Sequence, residues 1–192
     1  GALELAPVSA MAIAVDNSPA QHGFIFGTGA VAAFLERHYE RGPSSRLGAG
    51  LVLARAAISQ ARGGSYAAEM TRRSAATLTV DGERWPERRY LTIMAGAVSH
   101  LGLGFAPFTE AQARGGRFHV IGITAKVPEL LRTLPRVWLG LPWSPGVAEQ
   151  GPARELCIEL GEPTRFTIDG DLYQAKARIQ LAAGPALRFA LA

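Results

Sequence analysis

Loosely alternating apolar and polar positions along residues 3–15 predict two strands broken near Pro7. A turn-rich link over residues 16–21 and a short apolar strand over residues 23–26 follow. The period then changes. Val31, Phe34, Leu35, His38 and Tyr39 recur at spacings of three and four, which gives a helix with one apolar face. Gly42-Pro43-Ser44-Ser45 ends that helix and supplies a hydroxyl to cap a second one over residues 47–61, striped with Leu51, Ala54, Ile58 and Ala61. Beyond Gly63-Gly64 the pattern is strand-like: residues 66–79, 89–98, 117–124, 154–160, 165–168, 174–182 and 187–191 read as strands. One short helix is expected over residues 128–134, with a proline at its start. Many short strands separated by Gly and Pro turns predict a mainly β fold: an antiparallel two-sheet β-sandwich with two adjacent helices near the N-terminus. Residues 1–192 read as one domain, without an interdomain linker.

Two stretches echo each other. LTVDGERW begins at Leu78 and FTIDGDLY at Phe166. Each is a strand, an Asp-Gly step and a second strand, the sequence form of a tight hairpin. The second copy sets two carboxylates, Asp169 and Asp171, around Gly170. Acids so placed are either solvated turn residues or groups that hold Mg²⁺ through oxygen or accept a proton. The pattern alone leaves both open, with the turn the plainer reading.

Composition narrows the classes. Hydrophobic residues make up 48% of the chain, enough to build a core rather than a disordered segment. The net charge of +4 is mild, and the basic residues are nearly all arginine, with no basic run interleaved with aromatics. Nucleic acid is therefore not an expected partner. Cys157 is the sole cysteine, so there is no intrachain disulfide; within LCIEL it reads as a small buried apolar residue. No apolar run is long enough for a spanning helix, and the first residues lack the charged start of a signal peptide. The opening Gly1 reads as a tag scar or the start of a fragment. FIFGTGAVAAF has the strand–Gly27-x-Gly29-x-x-Ala32–helix form of a dinucleotide loop, but no acid follows at the required distance, so it reads as a structural strand-to-helix turn. His22, His38, His100 and His119 show no metal-ligand spacing, and no nucleophile elbow occurs. The glycine-rich stretch AGAVSHLGLGFAPF serves equally as a ligand loop or an apolar connector.

Taken together, three stretches resemble the C-terminal domain of the bacterial diacylglycerol kinase and sphingosine kinase family of lipid kinases. They are HGFIFGTGAVAAFLERHYERG, TVDGERWPERRYLTIMAGAVSHLGLGFAPFTEAQARGGRFHVIGI and FTIDGDLYQAKARIQLAAGPALRFAL, in matching order and spacing. The resemblance implies a two-domain enzyme that moves the γ-phosphoryl of ATP to a lipid hydroxyl. An N-terminal nucleotide-binding domain with a Gly-Gly-Asp-Gly-Thr loop would lie outside this chain, where no such motif occurs. ATP and Mg²⁺ would serve the full-length protein, with none tightly bound here.

By the same resemblance, Asp171 is the proton acceptor, and Asp169 and Gly170 approach the nucleotide. Aspartate stands at 171 where the family has glutamate, so its carboxylate reaches one methylene less far. Gly115, Gly116 and Arg117 stand where the family has an Asp-Gly-Leu metal loop, so no metal site is expected; Arg114 and Arg117 could instead meet phosphate. Phe34, Leu35, Leu51 and Ile58 are mostly core, with a share in an acyl pocket as the lesser reading. The implied partners are the missing domain, a lipid substrate and a peripheral membrane surface, in the cytoplasm. A homodimer is compatible with the exposed sheet edges of a sandwich. The alternative function is a non-catalytic lipid-binding or oligomerisation sandwich.

Overall fold

A computed structural model describes residues 5–39, 72–86, 88–100, 105–111 and 116–190. The expected helix over residues 47–61, with Leu51 and Ile58, lies outside them, as do Arg114 and Gly115.

The architecture is the expected antiparallel sandwich. In chain order the elements are β1 (Leu5–Val15), β2 (Gln21–Gly23), β3 (Ile25–Thr28), α1 (Ala30–Tyr39), β4 (Ser74–Val80), β5 (Glu83–Arg84), β6 (Arg88–Tyr90) and β7 (Thr92–Gly96). Then come β8 (Phe118–Ile123), α2 (Val127–Trp138), β9 (Ala148–Ala153), β10 (Glu155–Leu160), β11 (Thr164–Ile168), β12 (Asp171–Ala175) and β13 (Arg178–Ala190). One sheet has the order β2-β1-β13-β10-β4-β5, with β6 also on β4; the other runs β12-β11-β3-β7-β8-β9.

Alternation along the strands sends one set of side chains between the sheets. Met11, Ile13, Leu78, Leu156, Ile158, Ile179 and Leu181 from the first sheet meet Phe26, Ile93, Phe118, Val120, Phe166 and Ile168 from the second. Phe26 meets Phe166 at a tilt, with ring centroids 5.9 Å apart, and Phe166 stacks on Tyr173 at 5.4 Å. The second sheet is apolar on its outer face too. There Leu91, Met94, Ile121 and Ile123 pack under Phe108, Val137, Trp143 and Val147. The described helices and the loop over residues 105–111 therefore form a third layer on that sheet.

Five expectations need correction. β1 runs unbroken through Pro7, which pairs with Arg188. The residue is tolerated because β2 covers only Met11–Ile13, so among the described residues β1 has a neighbour on one side alone at Pro7. Residues 89–98 are two strands in different sheets: β6 pairs with β4, β7 with β3 and β8. The chain changes sheet at Leu91, whose N–H donates to the Ile123 carbonyl and whose carbonyl accepts from Ala30. Residues 174–182 split likewise at Lys176-Ala177, and the expected strand over residues 187–191 is the far end of β13. Neither crossing carries Gly or Pro to mark it. α2 is also longer than the expected helix over residues 128–134, continuing through Pro135 to Trp138.

Gly29 explains the dinucleotide-like stretch. Its φ is +60°, and a Cβ there would sit 2.3 Å from the Leu91 carbonyl oxygen. The Ala30 amide, which a phosphate would need, donates to that same carbonyl. The glycine step is a close helix–sheet contact.

Candidate active-site turn

Three aspartates build the ends of three strand pairs in one way. Asp16, Asp81 and Asp169 each follow the last residue of a strand and each has positive φ, at 51°, 48° and 50°. Aspartate tolerates this left-handed region better than most residues because its short side chain hydrogen-bonds locally. The backbone N–H of each donates to a carbonyl at the start of the neighbouring antiparallel strand: Arg178, Glu155 and Ile25 respectively. The carboxylate then accepts the amides that open that strand. Asp16 takes Lys176, Ala177 and Arg178; Asp81 takes Arg154 and Glu155; Asp169 takes Phe24 and Ile25. The amides bonded to Asp16 hold its carboxyl below the ordinary carboxylate value.

The two echoed stretches are thus the hairpins the sequence predicts, with positive φ at both central residues in each: Asp81-Gly82 and Asp169-Gly170. What separates them is their surroundings. A Cβ at Gly23 would lie 2.4 Å from Ile168 Cγ2 and 3.1 Å from Asp169 Oδ2, so the chain passes this turn with no room for a side chain. On the other side, the Tyr39 hydroxyl at the end of α1 donates to the Gly170 carbonyl at 3.0 Å. Among the described residues no helix packs against Asp81-Gly82, and a Cβ on Gly82 would meet none of them within 4 Å.

Asp169, expected to approach a nucleotide, has both carboxylate oxygens on backbone amides, at 2.8–3.1 Å. Asp171, the first residue of β12, is exposed, and its carboxylate forms no hydrogen bond or ion pair among the described residues. Nearby, a groove of about 300 Å³ lies between α1 and the β11–β12 hairpin, with Ala33, Thr164 and Gln174 among its lining. Its charges are paired: Arg72 with Glu162 at 2.5 Å, and Arg165 with Glu36. Asp171 does not line it; Gln174, three residues along the strand, does. Arg117 precedes β8, half-buried. Phe34 and Leu35 are half-buried on α1 and do not line the groove.

Elsewhere, Cys157 is half-buried rather than buried and accepts the Arg178 Nε–H at 3.1 Å. His119 is fully buried; Nδ1 accepts the Glu110 amide at 3.4 Å, and Nε2 has no partner among the described residues. Burial lowers its pKa from 6.5 to about 4, so it is neutral at physiological pH. Tyr39, Phe24 and Ile25 are the turn residues that sequence reading passed over. They meet Asp169-Gly170 across 131 to 145 positions, a separation that no local pattern records.

Solved kinase structures share this fold. A diacylglycerol kinase structure from Bacillus anthracis str. Sterne superposes with TM-score 0.56 at 14% identity, over 94% of this chain and 52% of that one. A second structure from the same organism reaches TM-score 0.60 at 18% identity, over 94% of this chain and 55% of its own. The chain therefore spans about half the length of the structures it matches. No protein-family model and no curated protein sequence matches it.

Proposed function

We propose that the chain is the sandwich domain of an ATP-dependent lipid kinase of the diacylglycerol kinase type, with Asp171 as proton acceptor. The shared fold supports the class. One observation carries the site: a turn held by Asp169 from one side and Tyr39 from the other, with the neighbouring Asp171 carboxylate free of partners among the described residues. In the reaction, the acceptor hydroxyl oxygen attacks the γ-phosphorus of ATP. The bond to the bridging oxygen of ADP breaks, and the hydroxyl proton passes to Asp171. Such chemistry depends on positioning and charge more than on covalent steps, which suits a rigid turn. Asp169 is then a positioning residue.

Among the described residues no group of three or more His, Cys, Asp or Glu could hold a metal ion. These residues do not make a resident Mg²⁺ site, and no step is assigned to one. A Mg²⁺ arriving with ATP needs only one or two protein carboxylates, and it would neutralise phosphate charge. The second reading is a lipid-binding module without turnover.

The test uses this domain joined to a phosphate-loop domain. Asp171→Asn should lower kcat for lipid phosphorylation by about a hundredfold or more while leaving the melting temperature unchanged. Full activity in that variant overturns the assignment. Lipid binding without any ATP-dependent turnover by the parent selects the second reading.

A further inference from the structure

The end of α2 carries the densest group of exposed apolar side chains in the described fold. Trp138 is 64% exposed, Leu139 76% and Leu141 43%. They are not loose. Gly140, at φ +69°, and the bonds from Gly140 N to the Val137 carbonyl and from Leu141 N to the Arg136 carbonyl form a Schellman cap. Directly beneath, Val137 and Trp143 are buried, and the Trp143 indole N–H donates to the Pro107 carbonyl at 3.3 Å. Phe105 stacks on Trp138 at 6.5 Å, extending the apolar area. A rigid corner thus projects a tryptophan and two leucines into solvent, where each costs free energy.

Over its last two turns α2 carries only basic charges. Arg132 and Arg136 are exposed on α2, at helical spacing from Leu139. Lys126 is exposed at the helix start. The single acid of the helix, Glu129, is turned back to accept the Lys126 amide at 3.0 Å. Tryptophan and leucine beside arginine is the composition of a surface that enters the headgroup layer: the rings and leucines reach the acyl boundary while the guanidinium groups meet lipid phosphate.

We infer that this corner, Trp138, Leu139 and Leu141 flanked by Arg132 and Arg136, docks the protein on an anionic lipid bilayer. It gives the lipid-kinase reading a membrane-facing surface, but it stands on the corner's own chemistry. α2 joins β8 to β9 at one edge of its sheet, and Asp171 sits on β12 at the other, so attachment and catalysis can be altered separately.

The experiment is co-sedimentation of the 192-residue chain with vesicles of phosphatidylcholine alone, or with phosphatidylglycerol added. The parent should bind the mixed vesicles more tightly, with binding weakened by salt. Trp138→Ser combined with Leu139→Ser should cut binding at least about tenfold, because the apolar area that enters the bilayer is gone. Arg132→Gln with Arg136→Gln should remove the preference for phosphatidylglycerol. All four positions are exposed, so circular dichroism and melting should match the parent. Parent binding that these variants leave unchanged, or no vesicle binding at all, overturns the inference. So does a parent dimer that the apolar variant splits without any vesicle binding, since the corner would then be a self-association surface. Phosphorylation of detergent-solubilised lipid by the two-domain enzyme tests the kinase reading independently.

Discussion

Asp81 and Asp169 occupy equivalent places in their hairpins, and each binds backbone amides that open a neighbouring strand. Hydrogen bonds to a charged acceptor are each worth about 1.5–3 kcal/mol when their loss leaves a donor unsatisfied, and these donors lie at the surface where water replaces part of the loss. Asp169→Ala and Asp81→Ala should therefore each lower stability by about 1–3 kcal/mol in denaturant titration. Asp171→Ala, which removes an exposed and unpaired group, should stay within about 0.5 kcal/mol. If Asp169→Ala proved as silent as Asp171→Ala, the anchoring role assigned to it would fall. The pairing of an inert anchor with a free acid two residues later is what makes Asp171, rather than Asp169, the group to test for chemistry.

β8 and the loop over residues 105–111 enclose an acid-sensitive group. His119 on β8 is buried beneath Phe108, whose ring meets it edge-on, and its pKa is depressed to about 4. A histidine held neutral by burial binds no proton in the fold until pH nears 4, whereas the unfolded chain binds one near 6.5. Stability from this group is therefore full above pH 6.5 and declines as pH falls toward 4. Melting curves at pH 7 and pH 4.5 should show a smaller acid-induced drop for His119→Leu than for the parent. Any packing change from the substitution is the same at both pH values and cancels in that difference. An equal drop in both proteins would show that the proton goes elsewhere.

The molecule as assembled is two sheets and one partial helical layer, spanning about half the length of the kinase structures that share its fold. On the proposed reading, Asp171 faces outward because the remainder of the site comes from another domain. Residues 1–192 by themselves should then show no ATP-dependent lipid phosphorylation, and joining a phosphate-loop domain should restore it. Measurable turnover by the isolated chain would mean that the sandwich carries its own nucleotide site. Among the described residues no helix is long and apolar enough to cross a membrane.

Local chemistry made much of this protein legible in advance. Period-two alternation, Asp-Gly steps and the stripe over Val31, Phe34 and Leu35 foretell strands, tight hairpins and α1, because each depends on neighbours a few positions apart. Asp169 and Asp171 stood out for the same reason. Other features depend on contacts between distant segments. Leu91 and Lys176-Ala177 carry the chain between sheets without a glycine or proline, since long-range partners rather than turn propensity accept their hydrogen bonds. Pro7 stays inside a strand because no described strand pairs with its other side. Asp169 became an anchor and Asp171 a free acid only when Phe24, Ile25 and Tyr39 closed around their turn. Which carboxylate is spent on the backbone is a matter of three-dimensional proximity, and sequence spacing does not encode it.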